Sequence, residues 1–236
     1  MSRRLENKVA VVVGAGTKGE GVGNGKATAI VFAREGAKVL CVDIDEGAAI
    51  TTRDIIKGEG GQAEALRADI VSATDCQGVI EFCIAHYGRV DVLHNNVGIA
   101  GGGEILDCTE QEWERAFNVN IKGMYLMCKY TIPKMIAGGG GSIINISSIA
   151  AVRPWPSVTY TTTKGAVNAL TEYIARRYGR YNIRANCIML GYIDTPLVAP
   201  AWKDTRIREI NLKQVPMQRF GSPWEGAAVA AFLASD

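Results

Sequence analysis

The sequence predicts one α/β domain, a doubly wound parallel sheet with helices on both faces. Three observations carry that expectation. Strand-like and helix-like segments alternate along the chain, several of the strand-like runs are continuously apolar, and a glycine-rich stretch follows the first of them. A strand that is apolar throughout has no face for water, as in a parallel sheet covered by helices on both sides. With 236 residues the chain is long enough for a single sizeable core.

The elements can be read in order. VAVVVG, from Val9, is a buried strand, and Lys26 to Gly36 forms a helix. AKVLCVD, from Ala37, is the second strand, with a helix over residues 46–58 after it. Ala63 to Ala68 is a third strand and residues 73–87 a helix. VDVLHNN, from Val90, is the fourth strand, and the run from Thr109 to Ile136 reads as one long helix. GSIINISS is the fifth strand, the segment around Tyr160 a helix, and IRANCIML the sixth strand. Gly138–Gly141 is a surface turn. Ligands of such sheets bind at the carboxyl ends of the strands, where Gly14, Asp43, Asn95, Ser147 and Gly191 fall.

Composition narrows the class. Hydrophobic residues make up 47% and charged residues 21%, a globular balance. A net charge of +2 with no basic block gives nucleic-acid binding little support. MSRRLENK has no apolar stretch behind its arginines and no apolar run is long enough to span a bilayer, so a cytoplasmic protein is expected. The six cysteines show no C-x-x-C spacing and read as reduced, mostly buried thiols. His86 and His94 stand at no ligand spacing from another Cys or His, so no metal site is expected.

Two motifs carry chemistry. In GAGTKGEGVGNGKATAIVFAREGA, glycines let the backbone turn sharply and approach a pyrophosphate at a helix N-terminus. A P-loop is excluded, because Gly25-Lys26 is followed by Ala27 and not by a hydroxyl residue. Asp43, ending the second strand, can accept hydrogen bonds from an adenosine ribose and repel a 2′-phosphate, which favours NAD over NADP. Tyr160 and Lys164 are four residues apart and share a helix face. An ammonium beside a phenol favours the phenolate, making Tyr160 a candidate general acid/base, with a hydroxyl of the Ser147-Ser148 pair to hold the reacting group.

With these residues in place, the chain resembles the short-chain dehydrogenase/reductase family over essentially its full length. Gly14, Gly23 and Gly25 resemble its cofactor glycines, and Asp43 its NAD-selecting acid. Asp69, followed by Ile70 in RADI, resembles the residue that contacts adenine. Asn95-Asn96-Val97-Gly98 resembles the Asn-Asn-Ala-Gly motif, which places Asn96 and Gly98 at the cofactor. Asn120, Ser148, Tyr160 and Lys164 resemble the catalytic set. LGYIDTPL resembles the segment that holds the nicotinamide carboxamide, implicating Ile193 and Thr195. The resemblance implies a Rossmann fold and hydride transfer between a nicotinamide and a secondary alcohol or ketone. Tyr160 would move the proton, Lys164 would lower its pKa and hold the nicotinamide ribose, and Ser148 would bind the substrate oxygen. Asn120 would position a water linking Lys164 to solvent. A homo-oligomer, dimer or tetramer, is also implied.

The chain departs from the family pattern in places. Gly14 and Gly23 enclose eight residues where three are usual, so the loop should bulge, leaving Gly19, Gly21 or Gly23 to meet the pyrophosphate. The serine-to-tyrosine spacing is one short. Strand register selects Ser148, counting back from Tyr160 selects Ser147, and alternation lets only one of them face the substrate. Family members continue past the PMQRFGSPWEGAAVAAFLASD segment into a final sheet strand, which is expected to be missing here. Substrate contacts are expected around Gly101–Glu104, Val152–Trp155, Leu190–Tyr192 and residues 197–215, with Trp155 and Tyr192 in an apolar pocket. The alternatives are an NADPH-dependent 3-oxoacyl-thioester reductase and a non-catalytic nucleotide-binding regulator.

Overall fold

The computed structural model describes residues 3–153 and 155–236, and Pro154, within the expected Val152–Trp155 contact, lies outside them. Six parallel strands form one sheet: β1 (Val9–Val13), β2 (Lys38–Asp43), β3 (Gln62–Arg67), β4 (Val92–Asn95), β5 (Gly141–Ser148) and β6 (Ile183–Leu190). Their order is β3-β2-β1-β4-β5-β6, with β6 at one edge. The order reverses between β1 and β4, and that switch point opens the crevice where ligands of doubly wound sheets bind.

Strand alternation builds two cores. Val9, Val11 and Val13 of β1 point to one face, where they pack with α3 (Ala73–Tyr87), α5 (Gly123–Ala137) and α6 (Val158–Tyr178). Ala10 and Val12 point to the other, against α1 (Asn24–Arg34), α2 (Glu46–Gly58) and α9 (Pro223–Ala234). All five β1 residues are buried, which is why the strand carries no polar alternation.

The run expected as one helix from Thr109 to Ile136 is divided. It forms α4 (Glu110–Phe117), a π turn over Asn118–Lys122 and then α5. Thr109 and Glu112 close a capping box at its start. The π turn inserts a wider ring into otherwise regular hydrogen bonding, an irregularity that a period-3.6 pattern does not reveal. Two short helices, α7 (Ala199–Trp202) and α8 (Thr205–Lys213), lie between β6 and α9. The six cysteines are free thiols. Among the described residues, no helix is long and apolar enough to cross a membrane.

His94 of β4 is fully buried edge-on to Phe32, and neither ring nitrogen has a hydrogen-bond partner among the described residues. Burial lowers its pKa from 6.5 to about 3. Below pH 6.5 the unfolded chain takes up this proton and the folded chain does not, so stability falls with pH down to about 3. The expected cost is about 1.4 kcal/mol per pH unit inside that window. Urea unfolding at pH 7 and pH 5 should show His94→Leu losing about 2 kcal/mol less than the wild type. Equal losses would remove His94 as the cause.

Candidate active site

One cavity of about 1000 Å³ runs along the carboxyl ends of the strands. Its floor begins at the β1–α1 turn. Gly14 has φ of +78°, and its carbonyl accepts from Asn96 Nδ2 at 3.1 Å, tying the glycine turn to the end of β4. A Cβ on Gly25 would collide with the Gly14 carbonyl, so α1 can start this close to β1 only with glycine there. Gly23 caps α1, and its N–H donates to Thr17 Oγ1 at 2.9 Å.

The long glycine loop is therefore closed by its own threonine. Gly19 and Gly23 line the cavity and Gly21 (φ +102°) does not; a Cβ on Gly21 would lie 3.3 Å from Pro196, which does. Thr17 and Gly16 were not singled out from the sequence. Gly16 N–H donates to Asp43 Oδ2 at 2.8 Å, and a Cβ on Gly16 would press against that oxygen. The G-A-G spelling was the available signal. Asp43 Oδ1 accepts from Asp45 N at 3.1 Å, so backbone donors fix the carboxylate at the cavity wall.

Asp69, Ile70, Asn96, Gly98, Ile193 and Thr195 also line the cavity. Asp69 Oδ1 accepts from Val71 N at 3.1 Å, and Asp75 anchors the Asp69 N–H at 2.9 Å, so the β3 turn holds itself in place. Ile193 forms a single parallel bridge to Gly221, which pins the segment after β6.

The polar centre lies between β5 and α6. Ser157 caps α6 by accepting from Tyr160 N at 3.2 Å and itself donates to the Gly101 carbonyl. The cap thus sets both the height of Tyr160 and the path of the glycine-rich loop. It was legible as a serine three residues before Tyr160, but was not read as such. Ser148 and Tyr160 both line the cavity, and the Ser148 hydroxyl pulls the phenol pKa downward. The Ser147 hydroxyl donates instead to the Lys164 carbonyl at 3.2 Å, and Ser147 is 1% exposed. The two serines therefore do different things: Ser148 faces the phenol, and Ser147 fastens α6 to β5.

Lys164 is buried and donates to the Ile146 carbonyl at 2.7 Å, with its Nζ 5.5 Å from the centre of the Tyr160 ring. Burial lowers its pKa to about 8. The expectation that Lys164 depresses Tyr160 meets a different balance. Burial raises the phenol above its ordinary value, and the opposing pull comes from Ser148. The ammonium donates to a backbone carbonyl and lies over the Tyr160 ring. Gly98 keeps the space before Lys164 open, since a Cβ there would sit 3.1 Å from Nζ.

Asn120, in the π turn, is fully buried behind the wall and does not line the cavity. Its amide accepts from Ile99 N at 2.7 Å and donates to the Ile99 carbonyl at 2.9 Å and to Thr163 Oγ1 at 3.0 Å. It clamps the segment after β4 against the residue preceding Lys164.

Trp155 and Tyr192 line the cavity and pack together with ring centres 5.8 Å apart. Phe220 and Trp202 extend this aromatic run. Gly101–Glu104 does not line it; the Gly101 carbonyl is consumed by Ser157 and Thr159, and Glu104 lies at a separate shallow pocket of about 440 Å³. Lys203, Arg206 and Arg208 also stay outside the main cavity.

A family description, enoyl-(acyl carrier protein) reductase, matches residues 19–236. The chain belongs to the short-chain dehydrogenase/reductase family. It is 35% identical to the 3-oxoacyl-(acyl-carrier-protein) reductase of Thermotoga maritima, covering 99% of this chain and 92% of that protein. It is also 35% identical to cyclohexanol dehydrogenase of Acinetobacter sp. (strain SE19), covering 100% of this chain and 91% of the relative. A solved 7α-hydroxysteroid dehydrogenase, complexed with NADH and 7-oxo glycochenodeoxycholic acid, superposes with a TM-score of 0.92 at 34% identity over 99% of this chain and 89% of its own. Membership of this short-chain dehydrogenase/reductase family makes the chain an oxidoreductase.

Proposed function

We propose that this short-chain dehydrogenase/reductase interconverts secondary alcohols and ketones with NAD(H), using Tyr160 as general acid/base. The observation that carries the reading is that Ser148, Tyr160 and Lys164 line the same cavity as the β1 turn and Asp43. The donor set fits a dinucleotide. The α1 N-terminus and the glycine turn suit a pyrophosphate, Asp43 suits a ribose diol, and Ile193 and Thr195 suit a carboxamide. When bound, the nicotinamide supplies or accepts the hydride.

The chain's own residues do the rest. Ser148 Oγ and Tyr160 Oη together hold the substrate oxygen, and Tyr160 gives its proton to that oxygen in reduction or takes it in oxidation. Because burial keeps the phenol protonated beyond its ordinary range, the acid form needed for reduction persists through neutral pH, and oxidation is expected to quicken as pH rises. Lys164 keeps positive charge beside the ring and holds the nicotinamide ribose. Asn120 would position a water that links Lys164 to solvent, while its side chain fixes Ile99 and Thr163.

Asp43 supports NAD over NADP, because a 2′-phosphate beside a fixed carboxylate meets like charge. Initial rates of ketone reduction should be at least about tenfold higher with NADH than with NADPH at equal concentration, a difference of about 1.4 kcal/mol. Similarity to the T. maritima reductase favours a second reading, NADPH-dependent reduction of a 3-oxoacyl thioester. Faster turnover with NADPH on such a thioester would select it over the first.

A further inference from the structure

Helix α8 covers the substrate side of the cavity, and its one buried position is an asparagine. The six residues from Thr205 to Ile210 are all exposed, while Asn211 is 7% exposed and lines the cavity. Ile207, one turn earlier on the same face, lines it too, as do Leu197, Val198 and Trp202. An apolar residue would suit that setting. No side-chain hydrogen bond from Asn211 to any described residue is present, although Asp204, Tyr192 and Gln214 nearby are all engaged. The stem of Asn211 is buried but its amide is open to the cavity, so the hydrogen bonds the protein leaves unmade there are available to what fills the cavity.

We infer that Asn211 anchors a neutral polar group of the substrate away from the reacting carbon. The substrate class is then a ketone or secondary alcohol that carries a second hydroxyl or carbonyl group. Neutrality follows from the surroundings: the charged residues of the 203–209 segment stay outside the cavity, and the other lining residues of the 197–211 stretch, Leu197, Val198, Pro200, Trp202 and Ile207, are apolar. An amide can donate and accept, so either a hydroxyl or a carbonyl satisfies it. The inference rests on the alcohol/ketone reading above.

The test compares cyclohexanone with 4-hydroxycyclohexanone, using NADH, in the wild type and in Asn211→Leu. The wild type should favour the hydroxylated ketone by about tenfold or more in kcat/KM, and the variant should lose that preference through KM. A second readout needs no turnover. Without substrate, Asn211→Leu should melt at the same or a higher temperature, because the Asn211 side chain makes no hydrogen bond to another described residue that the substitution would break. Unchanged selectivity in the variant, or a lowered melting temperature with selectivity retained, overturns the inference while leaving the alcohol/ketone reading intact. A weakened Kd for NADH with unchanged ketone selectivity would assign Asn211 to the cofactor and also overturn it. Absence of turnover of both ketones by the wild type would count against the alcohol/ketone reading itself, and the inference would fall with it.

Discussion

Tyr160→Phe is expected to lower kcat for ketone reduction by about 10³-fold while NADH binding stays within about twofold of wild type. The substitution removes one oxygen from the cavity wall and leaves the ring beneath Lys164. The α6 cap is untouched, because Ser157 accepts from the Tyr160 backbone and not from its phenol. Ser148 keeps its hydrogen bond from Ala150 N at 3.2 Å. Folding should therefore be close to wild type, and the loss should fall on proton transfer. Single-turnover rates with NADH fluorescence as the binding control separate the two. Retained kcat would remove Tyr160 from the chemistry.

Gly25→Ala should be the most damaging single-methyl change in the cofactor half of the cavity. The new Cβ would meet the Gly14 carbonyl and would lie 2.7 Å from Asn96 Nδ2, and backbone atoms cannot rotate away. Overpacking of this kind costs about 1–3 kcal/mol, and separating α1 from the β1 turn should weaken NADH binding at least about tenfold. Gly78→Ala supplies the contrast. It lies within α3 with nothing within 4 Å of its added Cβ, so the same methyl should raise stability by about 0.5–1 kcal/mol. Urea denaturation of both variants checks the pair. Destabilisation of similar size in both would show that the clash at Gly25 is not what matters.

Much of this architecture was legible in the chain. The apolar runs at Val9 and Gly141 announced buried parallel strands, because a sandwiched strand must be apolar on both faces. Helices at residues 46–58 and 73–87 fall at Glu46–Gly58 and Ala73–Tyr87, with Asp45 and Ser72 as their side-chain caps. The break at Asn118–Lys122 was not legible, since a π turn adds one residue without altering composition. Nor was the electrostatic balance at Tyr160. Spacing shows that Lys164 shares its helix face, but the partner of the ammonium, the Ile146 carbonyl, comes from a different strand. Thr17 closing the glycine loop and Asn211 facing the cavity depend on contacts between segments, which periodicity does not encode.

The most direct test of hydride transfer uses NADH carrying deuterium at nicotinamide C4, taken in both stereoisomers, with a cyclic ketone and the wild-type protein. One stereoisomer should deliver deuterium to the carbinol carbon of the alcohol product, and Tyr160→Phe should suppress that delivery by about 10³-fold. Alcohol formed without deuterium from either stereoisomer, or labelled at an undiminished rate by Tyr160→Phe, would contradict the account.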